Sequence, residues 1–332
     1  MDYKLSICIP TYNRANYLEH TLKNIFDNVP SYVEVVIYDG ASTDHTEELL
    51  YDWALKYPNL SYLIADTNGG VDEDLRRVVL LAKAEYCWLM SSDDFIAPEG
   101  IKVLLEAITK YSPNVLLFDR KNCNKKMQLK SEEKWLQIDS EESVFNFVVK
   151  DDLYRYLKDV RNLGGIFSYI SSIVVKKSDW LQDAGNTNLI GSNYNHVGCI
   201  FRTLMGGGVL LYLQKPLVFC REDNDSFSAN GLPARFLIDF KGYYSIGKEI
   251  FGADVLSRDK FYDVLRRDHH LLRLIKIRAY CQDINEWKKI EAYLIKLKYP
   301  LRIIKLSRHV GSLSAPILAL FYLKNTLAKW RL

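Results

Sequence analysis

The chain has 332 residues, of which 48% are hydrophobic and 26% are charged. These fractions are typical of globular proteins, so they exclude a disordered or fibrous chain. The length predicts two domains, or one α/β domain with additions, at roughly 100–200 residues for each domain. The formal net charge of +3 is too small to indicate a nucleic-acid-binding protein.

The charge is distributed unevenly along the chain. Residues 1–240 contain 25 basic and 33 acidic residues, a net charge of −8, whereas residues 241–332 contain 19 and 8, a net charge of +11. A basic C-terminal region after an acidic front predicts contact with an anionic partner. A set of helices with solvated basic faces explains the same pattern equally well.

The six cysteines are scattered, and no two of them form a CxxC motif. This spacing argues against a zinc knuckle and against a disulfide framework. The first residues lead directly into an apolar strand, without the regions of a signal peptide. The apolar run Leu313–Leu323 is broken by Ser314 and Pro316 and is shorter than the roughly 20 residues that span a membrane. We therefore expect a reduced, cytoplasmic protein.

Strands and helices alternate over the first 120 residues. Short apolar runs predict strands over Leu5–Pro10, Val33–Tyr38, Leu60–Ile64, Tyr86–Met90 and Asn114–Phe118. Helical spacing predicts helices over Asn16–Phe26, Glu73–Lys83 and Ile101–Lys110, with another that begins after Asp44. Such alternation predicts a mostly parallel, doubly wound sheet, in which ligands bind beyond the carboxyl ends of the strands.

The remainder of the chain is less regular until residue 232. We predict irregular structure over residues 121–140, a turn and then a strand over Gly164–Lys177, and a pair of strands over Val209–Phe219. From Leu232 onward the pattern is helical. The predicted helices are Phe236–Phe251, Lys260–Tyr280 and Asn285–Leu297.

Four polar motifs follow the predicted strands. They are PTYNR at residues 10–14, DGASTD at 39–44, NGGVD at 68–72 and SSDD at 91–94. The first lacks the glycines of a P-loop or a dinucleotide fingerprint, which excludes both of these phosphate-binding loops. The motifs are nevertheless expected to share one edge of the sheet.

Adjacent carboxylates such as Asp93 and Asp94 are costly unless a positive charge lies beside them. A divalent cation that also binds a diphosphate would meet this need, and hard oxygen ligands suit Mg²⁺ or Mn²⁺. A helix N-cap explains Asp94 alone, and a turn explains Asp39 alone. The repetition of acidic residues at successive strand ends favours the metal-dependent interpretation.

The motifs IPTYNR, DGASTDHT, NGGVDEDL and SSDD, in this order between residues 9 and 94, resemble those of the family 2 glycosyltransferases. The resemblance implies an α/β protein of the GT-A fold, with a Rossmann-like, mostly parallel sheet, a merged acceptor-binding region and a helical C-terminal region. It divides the chain into a nucleotide-sugar-binding half (1–120), an acceptor-binding half (121–230) and a helical, basic region (231–332).

A closer resemblance extends over roughly residues 1–245. YCWLMSSDD (86–94), FDRK (118–121), GGIFSYISS (164–172) and KPLVFCREDNDSF (215–227) look like the abequosyltransferases of O-antigen synthesis. This implies a hexosyltransferase that moves the 3,6-dideoxyhexose abequose from CDP-abequose to a mannose of an undecaprenyl-diphosphate-linked oligosaccharide. A lipid-linked acceptor implies a peripheral location at the inner membrane, where the basic C-terminal region would contact an anionic surface.

The resemblance also assigns roles to individual residues. Asp39 matches the carboxylate that reads the base, Tyr12 can stack on the base, Asp93 matches the residue near the ribose, and Asp94 matches the ligand of Mn²⁺ or Mg²⁺. Arg14 either serves a phosphate or faces solvent, and Asp74 stands where many members have Asn. The nucleotide-sugar-binding residues expected are Pro10, Thr11, Tyr12, Arg14, Asp39, Asp72, Ser92, Asp93 and Lys215, and the catalytic residues expected are His196, Asp94 and Arg221.

The loop Arg221–Phe227 follows a predicted strand and either closes over the diphosphate as a lid or forms an ordinary surface turn. In the closing interpretation, Arg221 and Lys215 neutralise the diphosphate.

The stereochemical outcome stays open. Inverting members place an acidic general base in the acceptor region, but residues 191–197 (GSNYNHV) contain no acid. His196 is either a base in its place or a structural histidine. Transfer with retention, which the closer resemblance favours, needs no such base because the leaving phosphate can accept the proton.

Two rival functions share this fold. A non-catalytic sugar-nucleotide binder is disfavoured because all three acidic positions, Asp39, Asp93 and Asp94, are intact. A nucleotidyltransferase is disfavoured because IPTYNRANYL lacks the Gly-rich, basic loop of that class.

Overall fold

The computed structural model describes residues 3–183, 185–222, 224, 231–281 and 283–312. The chain forms two compact units, and the boundary between them lies between residues 224 and 225. The first unit is α/β and the second is helical, which confirms the predicted fold class. The predicted division of the first unit at residue 120 stays a prediction.

The first unit is built on one ten-stranded sheet with the order β3-β2-β1-β4-β9-β6-β10-β5, to which β7 adds beside β6 and β8 beside β10. Its strands are β1 (Leu5–Thr11), β2 (Val33–Asp39), β3 (Leu60–Ile64), β4 (Tyr86–Leu89), β5 (Phe95–Ile96), β6 (Val115–Cys123), β7 (Leu129–Glu133), β8 (Glu142–Asn146), β9 (Ile173–Lys176) and β10 (Val209–Arg221). The strands β1 to β4 are parallel, as are β6 and β10, whereas β9 is antiparallel to both β4 and β6.

Seven helices accompany this sheet in the described part of the first unit. They are α1 (Ala15–Asn28), α2 (Thr46–Lys56), α3 (Val71–Leu81), α4 (Gly100–Tyr111), α5 (Lys150–Asp159), α6 (Lys177–Asp183) and α7 (Asn195–Met205). The apolar positions of α1, Leu18, Leu22 and Ile25, are fully buried among strand residues of the core. Each such side chain stabilises the fold by roughly 1.5–3 kcal/mol.

A proline marks the edge of the sheet where the polar motifs lie. The ladder between β1 and β4 ends with a hydrogen bond of 2.9 Å from the Met90 N–H to the Cys8 carbonyl oxygen. Two residues later, Pro10 has no N–H with which to continue this ladder. The pairing of β1 with β4 therefore ends here, whereas β1 still pairs with β2 as far as Thr11.

Three predictions about secondary structure were wrong. The polar segment 121–140 contains β7, which pairs with the extended end of β6. Val209–Phe219 lies in one strand, β10, whose pairing with β6 shifts register between Leu213 and Val218. Residues 260–280 belong to two helices, because His269 ends the first and His270 precedes the second.

The second unit contains α8 (Leu232–Phe251), α9 (Val255–Asp268), α10 (Leu271–Tyr280), α11 (Ile284–Lys296) and α12 (Leu301–Ser312). Within the residues that the structure describes, no helix combines the length and the apolar character that crossing a membrane requires. The apolar run Leu313–Leu323 and the basic residues after it lie outside the described residues.

All six cysteines are free and buried. This agrees with the prediction that the chain carries no disulfide framework.

Candidate active site

The loops after β1 and β2 are joined by hydrogen bonds at the carboxyl edge of the sheet. Thr11 and Asp39 are register partners at the ends of the two strands. The Asn13 N–H donates to Ser42 Oγ at 2.7 Å, and the Thr43 N–H donates to Asn13 Oδ1 at 2.7 Å. Asn13 has a φ of 52°, a left-handed conformation that Asn adopts more readily than most residues. The two predicted motifs therefore form one rigid rim.

Asp39 is oriented by its own turn. The side chain is 1% exposed. Its Oδ2 accepts a hydrogen bond of 3.0 Å from the Ser42 N–H, and its Oδ1 accepts one from the Ser42 hydroxyl. Burial raises the pKa of Asp39, and the hydrogen bonds from Ser42 oppose this rise.

Asp74 packs against the residue that follows Asp39. A Cβ atom placed on Gly40 would lie only 2.6 Å from Asp74 Oδ2, so glycine leaves the space that this carboxyl group occupies. Asp74 Oδ1 is buried and has no hydrogen-bond partner among the described residues. Burial, then the charge of Asp39 and then that of Glu73, raise the pKa of Asp74 to about 6.

Asp93 lies in a polar cluster after β4. Its Oδ2 is 2.8 Å from Arg14 Nη1 in a salt bridge and accepts a hydrogen bond of 2.6 Å from Asn224 Nδ2. Its Oδ1 accepts a hydrogen bond of 2.5 Å from Ser91 Oγ. Arg14 thus supplies part of the positive charge that the adjacent carboxylates Asp93 and Asp94 were predicted to need from a metal ion.

Asp94 is 2% exposed and accepts three hydrogen bonds. The hydroxyl groups of Tyr169 and Ser171 each donate to Oδ2 at 2.6 Å, and the Arg221 N–H donates to Oδ1 at 3.0 Å. Burial and then the charge of Asp93 raise the pKa of Asp94 to about 7. Hydroxyl and amide donors around one buried carboxyl group give it a fixed orientation.

A divalent cation fits this site only in a limited way. The described residues contain no group of three or more His, Cys, Asp or Glu that could hold a metal ion. Asp94 Oδ1 accepts a single hydrogen bond and so retains one lone pair. Mg²⁺ often binds proteins through one or two carboxylates and takes its other ligands from substrate phosphates and water. The donor set is compatible with an ion of that kind and not with a metal cage made by the protein.

Arg221 is buried beside both carboxylates. Its Nε donates to the Asp93 carbonyl oxygen at 3.1 Å, and its Nη1 donates to the Lys125 carbonyl oxygen. Its Nη2 is buried without a hydrogen-bond partner among the described residues. The guanidinium group also lies 5.4 Å from the ring centres of Tyr17 and Phe95. One donor of a well-positioned cation therefore stays available for an anion.

The other residues of the loop after β1 differ in exposure. Tyr12 is 44% exposed, Thr11 is buried, and Pro10 is partly buried. Ser92 is buried, and its carbonyl oxygen accepts a hydrogen bond of 3.1 Å from Thr21 Oγ1. Tyr12 is thus free to stack on a ligand, whereas Ser92 positions the backbone after β4.

Asp72 does not join this cluster, and its predicted nucleotide-binding role stays a prediction. Its Oδ2 accepts hydrogen bonds from the N–H groups of Gly191 at 2.8 Å and Asn193 at 2.9 Å. Its Oδ1 accepts one from the Asn195 N–H at 3.0 Å. Because both oxygens accept hydrogen bonds from the backbone at and just before the start of α7, Asp72 positions residues 191–195.

Lys215 also lies outside the cluster, and its predicted role at the diphosphate stays a prediction. It is exposed and lines a cavity with Glu106, Lys110 and Glu142, next to α4 and β8. A strand rises about 3.3 Å per residue, so six residues of β10 separate Lys215 from Arg221 by roughly 20 Å. Its proximity to Arg221 in the sequence therefore does not place it beside Arg221 in the structure.

His196 lies in the buried first turn of α7. Its Nε2 is 3.0 Å from the Phe167 carbonyl oxygen, which assigns the proton to this nitrogen. Burial lowers the pKa of His196 to about 4, and the hydrogen bond to Phe167 only partly opposes this. The described contacts are those of a structural histidine and give no support to a role as general base.

Three residues of the site, Tyr169, Ser171 and Asn224, were not predicted from the sequence. Because β9 is antiparallel to β4, the hydroxyl-rich segment before β9 meets the end of β4, where Asp94 lies. The signal was the hydroxyl content of GGIFSYISS, but only the direction of β9 connects it to Asp94. Asn224 reaches Asp93 from the segment after β10.

The sequence is similar to several glycosyltransferases. Residues 6–171 match the family described as Glycosyl transferase family 2. The abequosyltransferase RfbV of Salmonella typhimurium is 33% identical over 328 residues, which cover 97% of each chain. Glycosyltransferase GlyG of Streptococcus pneumoniae is 26% identical over 121 residues, which cover 35% of this chain and 39% of the relative.

Solved structures share the fold at low sequence identity. Residues 1–349 of S. aureus TarS in complex with UDP-GlcNAc superpose with a TM-score of 0.63 at 16% identity, covering 97% of this chain and 92% of that one. The mannosyltransferase PcManGT of Pyrobaculum calidifontis, in complex with GDP-Man and Mn²⁺, superposes with a TM-score of 0.52 at 16% identity, covering 99% and 81%. These structures support the GT-A architecture of the sheet.

Proposed function

The chain belongs to glycosyl transferase family 2, and from this premise we propose that it transfers abequose, or a related 3,6-dideoxyhexose, from a CDP-sugar to a mannose of a lipid-linked O-antigen intermediate. The observation that carries this proposal is the extent of the similarity to an abequosyltransferase. The family match ends at residue 171, whereas the similarity to RfbV covers 97% of both chains. The second unit, where acceptor preference can reside, is therefore included.

The loops after β1 and β2 bind the nucleoside in this proposal. Exposed Tyr12 stacks on the base, and buried Asp39 accepts a hydrogen bond from its edge. Asp93 lies next, between Arg14 and Asn224, where a ribose hydroxyl can replace one of these donors. Along the edge of the sheet, the residues proposed for the base are thus followed by the residue proposed for the ribose, as base and ribose follow one another in a nucleoside diphosphate.

Arg14 and Arg221 carry the diphosphate. The free Nη2 of Arg221 and the guanidinium group of Arg14 both lie beside the Asp93–Asp94 segment. Asp94 is the residue that would hold Mn²⁺ or Mg²⁺, through Oδ1. When bound, such an ion supplies positive charge that stabilises the leaving diphosphate.

We propose transfer with retention of configuration. The acceptor oxygen bonds to the anomeric carbon as the bond from that carbon to the β-phosphate oxygen breaks, and the hydroxyl proton passes to an oxygen of the departing CDP. Two observations support this route over a protein base. Residues 191–197 contain no acid, and His196 has a pKa of about 4 with its protonated nitrogen bonded to Phe167.

A lipid-linked acceptor requires an enzyme that works at a membrane surface, and we propose peripheral binding at the cytoplasmic face of the inner membrane. In α12 the exposed positions combine apolar Leu301 and Leu306 with basic Arg302 and Lys305. Basic side chains beside exposed leucines suit a helix that lies in the plane of an anionic interface.

The test is a transfer assay with CDP-abequose and a lipid-linked mannosyl acceptor. We expect CDP release that depends on the acceptor, and an α anomeric proton signal in the product. A β signal would replace retention by an inverting mechanism. Transfer from a UDP- or GDP-sugar in preference to CDP-abequose would overturn the donor assignment. Binding of CDP-abequose without any transfer would favour the non-catalytic alternative.

A further inference from the structure

Two carboxyl groups, not one, lie beside the end of β2, where we expect the base to bind. Asp39 ends β2, and Asp74 on α3 places its Oδ2 where a side chain on Gly40 would otherwise lie. The family resemblance assigns base recognition to Asp39 alone. The proposed function uses Asp39 but not Asp74.

The two carboxyl groups have different partners. Both oxygens of Asp39 accept hydrogen bonds from Ser42, which stabilise the ionised form. Asp74 is 4% exposed, and its Oδ1 has no hydrogen-bond partner among the described residues. Thr11 Oγ1, at the end of β1 beside Asp39, is likewise buried without a partner. Buried polar atoms rarely lack partners, so these two atoms are available to contact a polar ligand.

The charges around Asp74 favour its protonated form. The titratable groups that face it are Asp39 and Tyr38 from β2 and Glu73 from its own helix. Glu73 is paired with Arg76 at 2.7 Å and with Arg77 at 2.6 Å, so these cations are already engaged. Two neighbouring carboxyl groups that lack a dedicated cation hold one proton between them over a range of pH.

We propose that Asp39 and Asp74 act together as an acceptor–donor pair that selects cytosine, with ionised Asp39 accepting from the 4-amino group and protonated Asp74 donating to the ring nitrogen N3. This inference rests on the proposed CDP-sugar donor. Cytosine presents a donor and an acceptor side by side on this edge. Uracil presents the reverse order, a carbonyl oxygen opposite Asp39 and an N–H opposite Asp74. The negative charge of Asp39 therefore attracts the amino group of cytosine and repels the 4-carbonyl oxygen of uracil.

The pair makes base selectivity depend on pH. When Asp74 loses its proton, the hydrogen bond to cytosine N3 is lost, whereas the N3–H of uracil gains a charged acceptor. The ratio of the dissociation constants of UDP and CDP should therefore fall as pH rises above about 6. The titration of the diphosphate is common to both nucleotides and cancels in this ratio.

The experiment measures both dissociation constants by calorimetry between pH 5 and 8, on the full chain and on Asp74→Asn. An amide keeps the shape of the carboxyl group and can rotate to serve either base, but it does not titrate. We expect the ratio of the UDP to the CDP dissociation constant to fall at least about tenfold for the wild type between pH 5 and 8. For Asp74→Asn, this ratio should be smaller than that of the wild type at pH 5 and should not change with pH. Asp66→Asn, the same change at an exposed position after β3, should behave as wild type.

The outcomes separate this inference from the proposed function. CDP binding with a wild-type ratio that is constant or rises with pH overturns the acceptor–donor pair and leaves the donor assignment intact. An Asp74→Asn ratio that keeps the wild-type pH dependence also overturns it, provided that the unfolding midpoint shows a folded variant. Binding of UDP or GDP without binding of CDP instead overturns the proposed donor.

Discussion

Asp94 and His196 were both expected to be catalytic, but only the surroundings of Asp94 suit a residue that contacts substrate. Asp94 is held by Tyr169, Ser171 and the Arg221 N–H at the carboxyl edge of the sheet, beside Arg14 and Asp93. His196 is bonded to the Phe167 carbonyl oxygen in a buried helix turn. A carboxyl group at this edge can meet substrate, whereas the imidazole is engaged in the packing of α7.

Asp94→Asn should reduce transfer by at least about a hundredfold, the scale of a lost electrostatic stabiliser. The amide preserves the shape but removes the charge that would hold a cation. Steady-state transfer at saturating Mn²⁺ measures the loss. Asp119→Asn, which changes a buried carboxyl group bonded to Trp135 and Tyr212, should lose much less activity. Equal losses in the two variants would show that Asp94 acts only through folding.

His196→Gln should make stability less sensitive to acid while leaving transfer within about tenfold of wild type. The folded pKa of about 4 lies below the ordinary value of 6.5, so between these values the unfolded chain binds more protons. Wild-type stability therefore falls as pH decreases from about 6.5 to 4, and the glutamine variant lacks this contribution. Urea unfolding at pH 7 and pH 5 measures it, with exposed His20→Gln as the control. A loss of transfer of a hundredfold or more would restore His196 as the base.

At the level of elements, the alternating strands and helices of the first 120 residues were predictable because each buried strand is a short apolar run. The errors lie where polar residues enter the sheet. Gln214, Lys215 and Pro216 interrupt an apolar run and indicate a turn, but β10 continues through them with a shift of register. A proline is tolerated at such an irregularity, because the regular ladder is already broken there.

Part of the candidate site was predictable from the order of the parallel strands. Thr11, Asp39, Asp93 and Asp94 follow strands in a parallel order, so their meeting at one edge follows from topology. Asp72, which begins α3, instead bonds to residues 191–195, more than a hundred positions away. No local pattern reports such a pairing.

Asp72→Ala should destabilise the first unit and weaken acceptor use. Removal of the carboxylate leaves three backbone N–H groups without their acceptor, which costs about 2–4 kcal/mol of unfolding free energy. Urea unfolding and the KM for acceptor and donor measure the two effects. We expect the KM for acceptor to rise more than that for donor. Asp52→Ala, the same change at an exposed position, is the control and should leave the free energy of unfolding unchanged. If Asp72→Ala is as stable as this control, Asp72 does not position residues 191–195.

At the scale of the whole molecule, the net charge of +11 over residues 241–332 contrasts with −8 over residues 1–240. The described part of the basic region is helical, as predicted. In α12 the basic positions Arg302 and Lys305 are exposed, whereas Ile304 is buried. The helix thus packs through one side and leaves its cations accessible.

The double variant Arg302→Glu/Lys305→Glu should bind anionic vesicles at least about tenfold more weakly than wild type. Each basic residue near such a surface contributes about 1 kcal/mol, and salt should weaken the wild-type interaction. Co-sedimentation with vesicles that contain phosphatidylserine measures the difference. Lys288→Glu/Lys289→Glu makes the same charge change at exposed positions of α11 and should have a smaller effect. Equal binding of wild type to neutral and anionic vesicles would rule out electrostatic docking.

The six buried thiols give each unit its own internal probe of opening. Cys281 lies in the second unit, and the other five cysteines lie in the first. An alkylating reagent reacts only with an accessible thiolate, so modification has to wait for local or global opening. Peptide mass spectrometry during alkylation therefore measures how fast each unit opens, in one experiment and without introduced cysteines. Nucleotide added to the same reaction would reveal which unit it protects.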